Sequence, residues 1–385
     1  MQKEKLLMTP GPTMIPSRVL SVMGSQIIHH RTKEFEAIFD DLEADLKLVF
    51  QTQNPVLVFA SSGTGAMEST IVNLFSQGDK VLVVSIGAFG ERFLKIAKAF
   101  GLDPINLAFP WGQAADISKI EEFLNSDVNN EIKAVIITHN ETSTGVTNDV
   151  QAVGKLTKNT DRLLIVDAIS SLGGIPLKTD EWGVDVVVTA SQKSLMAPPG
   201  LAFVSISEKA WTACEKSTLP KFYWDYKSYK KGILKESSEN PPYTPAISLM
   251  IGQAEALKMI KEEGLSNVYD RHKKLALATQ AGIAALGLKL FPKQEVSSYI
   301  ITAAEAPEGI DIEKVRSAMN LKYDIMVTGG QKHLKGKILR IGHCGYVDGF
   351  DLIKTFAALE FALRDAGYAI EIGKSVSAVQ KVLGN

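Results

Sequence analysis

Val184-Asp185-Val186-Val187-Val188-Thr189-Ala190-Ser191-Gln192-Lys193-Ser194 is the stretch on which the fold turns. Its first seven residues are apolar except for Asp185 and Thr189, and most are β-branched. A strand covered on both faces has this character. Upstream, Leu163-Leu164-Ile165-Val166 ends in Asp167, and Val56-Leu57-Val58-Phe59 leads into Ser61-Ser62-Gly63-Thr64-Gly65. The pattern predicts strands at 56–60, 80–85, 133–138, 162–167, 184–190 and 201–206. Helical patterns at 66–75, 91–100 and 117–124 lie between them, with Asp116 as N-cap of the last. Alternating strands and helices make a mainly parallel sheet between helices, joined by right-handed crossovers. The expected fold class is therefore α/β.

Residues 219–245 break the rhythm. Leu219-Pro220-Lys221-Phe222-Tyr223-Trp224-Asp225-Tyr226 is aromatic-rich, Pro241-Pro242-Tyr243-Thr244-Pro245 is proline-rich, and four lysines fall between 227 and 235. The segment reads as a long loop, functional or covered by a partner, with the lysines on a solvated face. A helical pattern over 247–263 ends at Gly264. Beyond it, strands are predicted at 297–303, 325–327 and 337–341 and helices near 311–320 and 349–366. That is a smaller α+β domain. The division is 1–264, an N-terminal segment plus large domain, and 265–385, a small C-terminal domain. Two domains suit a chain of 385 residues.

Composition narrows the function. A formal net charge of -1 gives no field that favours nucleic acid or an anionic membrane. No apolar run approaches the ~20 residues of a membrane span. The N-terminal Met1-Gln2-Lys3-Glu4-Lys5 does not open a signal peptide, and Val382-Leu383-Gly384-Asn385 carries no retention signal. Cys214 and Cys344 are the only cysteines, which suits a reducing compartment. A cytoplasmic protein is expected. The six histidines lack metal-ligand spacing, so no metal site is expected.

Three chemical groups fall at the C-terminal ends of predicted strands, where open α/β sheets bind ligands. Ser62-Gly63-Thr64-Gly65 opens a helix after a strand, so it is either a tight turn or an anion cradle. It is no P-loop, because Ala66-Met67 follow Gly65, and no dinucleotide fingerprint, because Glu68 stands at the third glycine. Asp167 is either a cap or a partner for a buried cation. Lys193 is held above the sheet between one strand and Ala197-Pro198-Pro199-Gly200, where burial would lower its pKa. Arg340, before Gly342-His343-Cys344-Gly345, suits a carboxylate gripped by two parallel hydrogen bonds. An amine, a carboxylate and a phosphate site together are what pyridoxal phosphate requires.

In order and spacing these residues resemble the class V branch of fold-type I pyridoxal-phosphate enzymes. The nearest group is the alanine–glyoxylate, serine–pyruvate and serine–glyoxylate aminotransferases. The likeness begins at Leu7-Met8-Thr9-Pro10-Gly11-Pro12-Thr13 and runs through His30-Arg31-Thr32, Phe89-Gly90-Glu91-Arg92 and Thr138-His139-Asn140-Glu141-Thr142-Ser143-Thr144-Gly145. It continues in Val166-Asp167-Ala168-Ile169-Ser170-Ser171 and Ser191-Gln192-Lys193, and closes with Tyr243-Thr244-Pro245-Ala246 and Arg340-Ile341-Gly342.

The resemblance implies roles. Lys193 would anchor the cofactor and act as general acid–base, and Asp167 would pair with the pyridine nitrogen. Phe89 would stack on the ring, Thr142 would contact its hydroxyl side, and Ile169 would line the cofactor site. Thr64, Gly65, Ala66 and Gln192 would bind the phosphate. Thr244 matches the residue a partner subunit contributes in the family's shared dimer site. Tyr243 stands beside it, although the register puts Pro241 where the family has tyrosine. Arg340 would hold the substrate α-carboxylate, close to Gly11. The implied reaction is ping-pong transamination by a homodimer. With no second arginine obviously placed for a side-chain carboxylate, Arg31 and Arg92 being the candidates, alanine or serine is the expected donor and glyoxylate or pyruvate the acceptor. Two other functions compete. A cysteine desulfurase needs a mobile nucleophilic cysteine and usually a histidine before the lysine, but Gln192 precedes Lys193 and Cys344 lies in what reads as a fixed loop. A non-catalytic subunit would not need Lys193, Asp167 and Arg340 together.

Overall fold

The computed structural model describes residues 4–233, 236 and 240–384. Residues 1–3 and Asn385 of the termini, and Lys235 of the lysine run, lie outside the described residues.

Seven strands form the central sheet, in the spatial order Val56–Ser61, Gly200–Ile206, Val186–Ala190, Leu163–Asp167, Ile132–Thr138, Lys80–Ser85 and Asp103–Ala108. Gly200–Ile206 runs antiparallel to both neighbours, and the other pairings are parallel. The side chains explain the unbroken apolar runs. Val187, Val166, Ile137 and Val58 pack on one face against Phe35, Leu42 and Leu46 of the helix Lys33–Phe50. Val186, Val188, Ile165, Ile136 and Phe59 pack on the other, against the helix Gly63–Leu74 and Trp211. With both faces buried, the usual polar alternation disappears.

A second core lies beyond Gly264, built on the antiparallel sheet Ile301–Glu305, Ile338–Gly342 and Thr328–Gly329. Helices Leu265–Ala285, Ile312–Lys322, Gly349–Asp365 and Lys374–Gly384 accompany it. The N-terminal segment joins this core and not the large one. Leu6–Leu7 pairs in parallel with Ile325–Met326, and Leu6 and Met8 pack among the small-domain side chains.

Three expectations need correction. Asp103–Ala108 is a strand that the pattern does not predict; it is a sheet edge whose side chains are half exposed, so its apolar signal is weak. Residues 219–245 are not simply a loop, because Tyr226–Ile233 is a helix. Tyr226 is fully buried and its hydroxyl meets Ser69 Oγ at 2.9 Å. Two of the lysines there are partnered: Lys227 pairs with Glu215 at 2.8 Å, and Lys230 lies 4.4 Å from the Trp211 ring centroid. Finally, the strand expected at 297–303 is Ile301–Glu305, since 294–296 forms a 3-10 turn.

Candidate active site

The helix Gly63–Leu74 starts immediately after its strand, with extended Ser62 at the N-cap. Its first turn is closely walled. A side chain on Gly63 would meet Ile169 Cδ1 at 2.6 Å, and one on Gly65 would meet Ser61 Oγ and, at 2.8 Å, Trp224. Only glycine allows these side chains to pack so closely against the helix start. Thr64 accepts a hydrogen bond from Arg92 Nη1 at 3.0 Å. Ala66 is buried, and its carbonyl accepts from the hydroxyls of Ser69 and Thr70.

Asp167 ends its strand in the middle of the sheet and is buried. Its Oδ1 accepts from the Ile169 N–H at 2.9 Å, and it forms no ion pair among the described residues. Burial pushes its carboxyl up to about 7, with the nearby Glu141 charge adding to the rise.

Lys193 projects from the turn between Val186–Ala190 and Gly200–Ile206. That turn is braced by the Ser191 N–H on Leu201 O, the Ala197 N–H on Ser191 O and the Met196 N–H on Lys193 O. The Lys193 ammonium donates to the Pro10 carbonyl at 2.7 Å. Thr13 Oγ1 donates to the Lys193 carbonyl at 3.2 Å. Gly11, at φ +125°, lies so close that a side chain there would collide with Cδ, Cε and Nζ of Lys193. Burial lowers the Lys193 pKa.

Phe89 stands at the start of the helix Ala88–Ala99. Glu141, fully buried, holds that helix end: its Oε2 accepts from the N–H groups of Phe89 at 3.0 Å and Gly90 at 3.2 Å. Ser143 N–H and Oγ donate to its other oxygen. Burial raises the Glu141 pKa. The Arg92 guanidinium sits 4.8 Å from the Phe89 ring centroid.

Arg340 reaches in from the small-domain strand Ile338–Gly342. It is buried and donates to the Gly329 carbonyl at 2.8 Å and the Thr142 carbonyl at 2.7 Å. Both partners are neutral, and among the described residues it forms no ion pair. Burial lowers its pKa to about 10. Gln192 has a buried Oε1 with no hydrogen-bond partner among the described residues.

Most of the expected residues thus meet around Lys193. Gly11 touches it; Thr64 and Phe89 are joined through Arg92, Thr142 and Arg340 share a hydrogen bond, and Ile169 lies between Asp167 and Gly63. Tyr243 is placed differently. Its hydroxyl donates to Phe222 O at 3.1 Å and its ring stacks on Tyr223, which abuts Trp224, the residue that touches Gly65. Two rings therefore separate Tyr243 from the glycine turn. Thr244 is exposed. Two residues at the site carry no signal in the sequence pattern. Glu141 is invisible there because its partners lie 51 and 52 residues away in sequence. Trp224 reads only as part of an aromatic loop. Among the described residues no cluster of His, Cys, Asp and Glu could hold a metal ion, and no helix is long and apolar enough to cross a membrane.

This arrangement combines a lysine amine, a buried carboxylate, a helix N-terminus with two glycines in its first turn, and a buried guanidinium. The family model described as Aminotransferase class-V matches residues 6–344. The chain belongs to the class V aminotransferases: it is a transaminase of fold type I. It is 40% identical over 390 aligned residues to a serine–glyoxylate aminotransferase of Methylorubrum extorquens, covering 98% of this chain and 95% of that one. It is also 44% identical over 385 residues to a protein of Synechococcus sp. named "Soluble hydrogenase, small subunit", covering 100% of this chain and 99% of that one. The solved ureidoglycine–glyoxylate aminotransferase of Bacillus subtilis superposes with a TM-score of 0.95 at 29% identity, covering 100% of this chain and 99% of that one.

Proposed function

We propose that this protein uses pyridoxal phosphate to move an amino group from alanine or serine to glyoxylate or pyruvate, by a ping-pong mechanism. One observation carries the reading. Two buried opposite charges, Asp167 and Arg340, flank one amine, and neither is ion-paired among the described residues. Such charges are costly to bury unless a ligand answers them. A pyridinium and a substrate carboxylate would answer both. The helix end fits as well: a Cβ at Gly63 or Gly65 would collide with Ile169, Ser61 or Trp224, so glycine lets these side chains close around the first turn, whose N-terminus favours an anion such as a phosphate.

When bound, the cofactor supplies a ring that accepts the electron pair released as the substrate Cα–H bond breaks. Asp167 holds a proton at the ring nitrogen, because an opposite charge beside it favours the protonated form. Phe89 and Ile169 would confine the ring, and Thr142 would contact its hydroxyl side. Thr64, Gly65, Ala66 and Gln192 would hold the phosphate. Arg340 binds the substrate α-carboxylate, while Gly11 leaves room beside the lysine. The lowered pKa of Lys193 favours the neutral amine, so Nζ could take the Cα proton and pass it to the cofactor carbon C4′ in the first half-reaction, and carry out the reverse transfer in the second. Tyr243 and Thr244 serve a neighbouring subunit's site in a homodimer; the exposure of Thr244 supports this. Glyoxylate as acceptor is supported by the names of two of the relatives above. Two domains, divided at 264 except that the N-terminal segment docks on the second core, and a cytoplasmic location complete the reading.

The name of the Synechococcus relative favours a second reading, a subunit of a larger assembly without catalysis of its own. One experiment separates the two. The purified protein should show the cofactor's visible absorbance and retain it covalently after borohydride, and Lys193→Ala should lose both. An unchanged spectrum in the variant, or none in the wild type, would refute the catalytic reading. Rates with alanine, serine, aspartate and glutamate against both acceptors then test the donor; strong preference for a dicarboxylic donor would exclude alanine and serine.

A further inference from the structure

We propose that Arg92 is a positioning residue for the cofactor phosphate: it aims the Thr64 hydroxyl at the open end of the helix Gly63–Leu74. The inference rests on the pyridoxal-phosphate reading above, and assigns Arg92 to the cofactor and not to a substrate side chain.

Four features converge on this arginine. Its helix is fixed at the start, where Glu141 accepts from the N–H groups of Phe89 and Gly90. Phe89 and Arg92 are three residues apart and so share a helix face. The guanidinium lies 4.8 Å from the Phe89 ring centroid, within cation–π range, so the ring limits its freedom. From there Nη1 donates to Thr64 Oγ1 at 3.0 Å.

Hydrogen-bond chemistry fixes the direction of that contact. A guanidinium donates only, so Thr64 Oγ1 must accept from it. The threonine's own proton remains to be donated elsewhere. Thr64 is the second residue of the helix; in this first turn the N–H groups of Gly65 and Ala66 bond to Ser62 O at 2.9 and 3.4 Å, which leaves those of Gly63 and Thr64 without intrahelical acceptors. A hydroxyl proton and those N–H groups together form one donor set for an anion. Arg92 is exposed and forms no ion pair among the described residues, so no carboxylate holds its charge away from that set. Its field lowers the pKa of both Asp167 and Lys193, which places the charge at the same site.

Arg31, the other candidate for a side-chain carboxylate, donates to the Pro241 carbonyl at 2.8 Å. It ties the N-terminal part of the chain to the proline-rich segment. Each arginine thus has a local task, in agreement with a donor lacking a second carboxylate.

The test compares two probes on cofactor-stripped protein: pyridoxal phosphate, and pyridoxal, which has the ring without the phosphate. Arg92→Gln should weaken pyridoxal phosphate binding by roughly ten- to a hundred-fold, the range of one charge-assisted hydrogen bond. Pyridoxal affinity should change by less than about threefold, since ring contacts persist. Arg92→Lys, which keeps the charge without the planar fork, should recover part of the loss. In the Thr64→Ala background Arg92→Gln should cost clearly less than in the wild type, because the two act through one hydrogen bond. Equal losses for both probes would reduce Arg92 to a general structural role. Unchanged phosphate-dependent binding, or a raised KM for aspartate alone, would also overturn the assignment. Failure of the wild type to bind pyridoxal phosphate would instead defeat the functional reading itself.

Discussion

Replacing Asp167 by Asn should make the cofactor-free protein more stable, and increasingly so as pH rises. Asn keeps the shape and can still accept the Ile169 N–H bond seen at 2.9 Å, but it carries no charge. The folded carboxyl has its pKa raised to about 7 from an ordinary value of 3.8. The native state therefore binds more protons than the unfolded chain between these values, and stability falls as pH rises through that window. At about 1.4 kcal/mol per pH unit, the full cost of holding Asp167 ionised is about 4 kcal/mol above pH 7. Roughly 1–2 kcal/mol of it is already present at pH 5. Asp167→Asn should therefore gain roughly 2–3 kcal/mol more at pH 8 than at pH 5, measured by urea unfolding of both stripped proteins. Loading pyridoxal phosphate should reverse the order, because the ring nitrogen supplies the missing cation. An advantage that does not grow between pH 5 and pH 8 would refute the claim that this carboxylate is held without a counter-charge.

The same geometry makes further predictions. Arg340→Gln removes the substrate's expected anchor and should raise the amino-acid KM by roughly 10- to 100-fold, at about 1.5–3 kcal/mol per charge-assisted bond, with the cofactor spectrum unchanged; steady-state kinetics would show it, and an unaltered KM would remove Arg340 from substrate binding. Gly11→Ala drives a methyl group into Lys193 at a backbone φ of +125°, so turnover should fall at least about tenfold while circular dichroism stays native. Cys344 is buried against Ile175, Ile300 and Ile301, and burial pushes its thiol up to about 11, so it is protonated at neutral pH and a poor nucleophile. Cys344→Ala should therefore keep transamination and cost about 1 kcal/mol of stability. Release of sulfide from cysteine by the wild type, lost in that variant, would replace the aminotransferase reading with a desulfurase.

Most of the seven-stranded sheet is legible in the sequence because burial on both faces writes itself as continuous Val and Ile runs, as at 186–190. Lys193, Asp167 and the Gly63–Gly65 turn are legible because each comes directly after such a run. Asp103–Ala108 is not, because an edge strand needs no apolar face toward solvent. Tyr226–Ile233 is hidden by its lysines, which read as solvent-facing until Trp211 and Glu215 are seen beside them. Glu141 cannot be found from spacing at all. It acts on backbone N–H groups of a distant helix, which leave no side-chain signature. The N-terminal segment is hard to place for a related reason: its partners, Ile325–Met326, lie more than 300 residues away in the chain.

That long-range pairing bears on how the protein is made. Residues 6–8 leave the ribosome more than 300 residues ahead of their partners, Ile325–Met326 and the Gly342 N–H, which bonds to Met8 O. At about 5–20 residues per second, the segment waits roughly twenty seconds to a minute before its docking site exists. During that interval Lys193 has no Pro10 carbonyl above it. The lysine's roof is synthesised long before the strand it docks on, so folding of the seven-stranded sheet during translation cannot by itself complete the surroundings of Lys193.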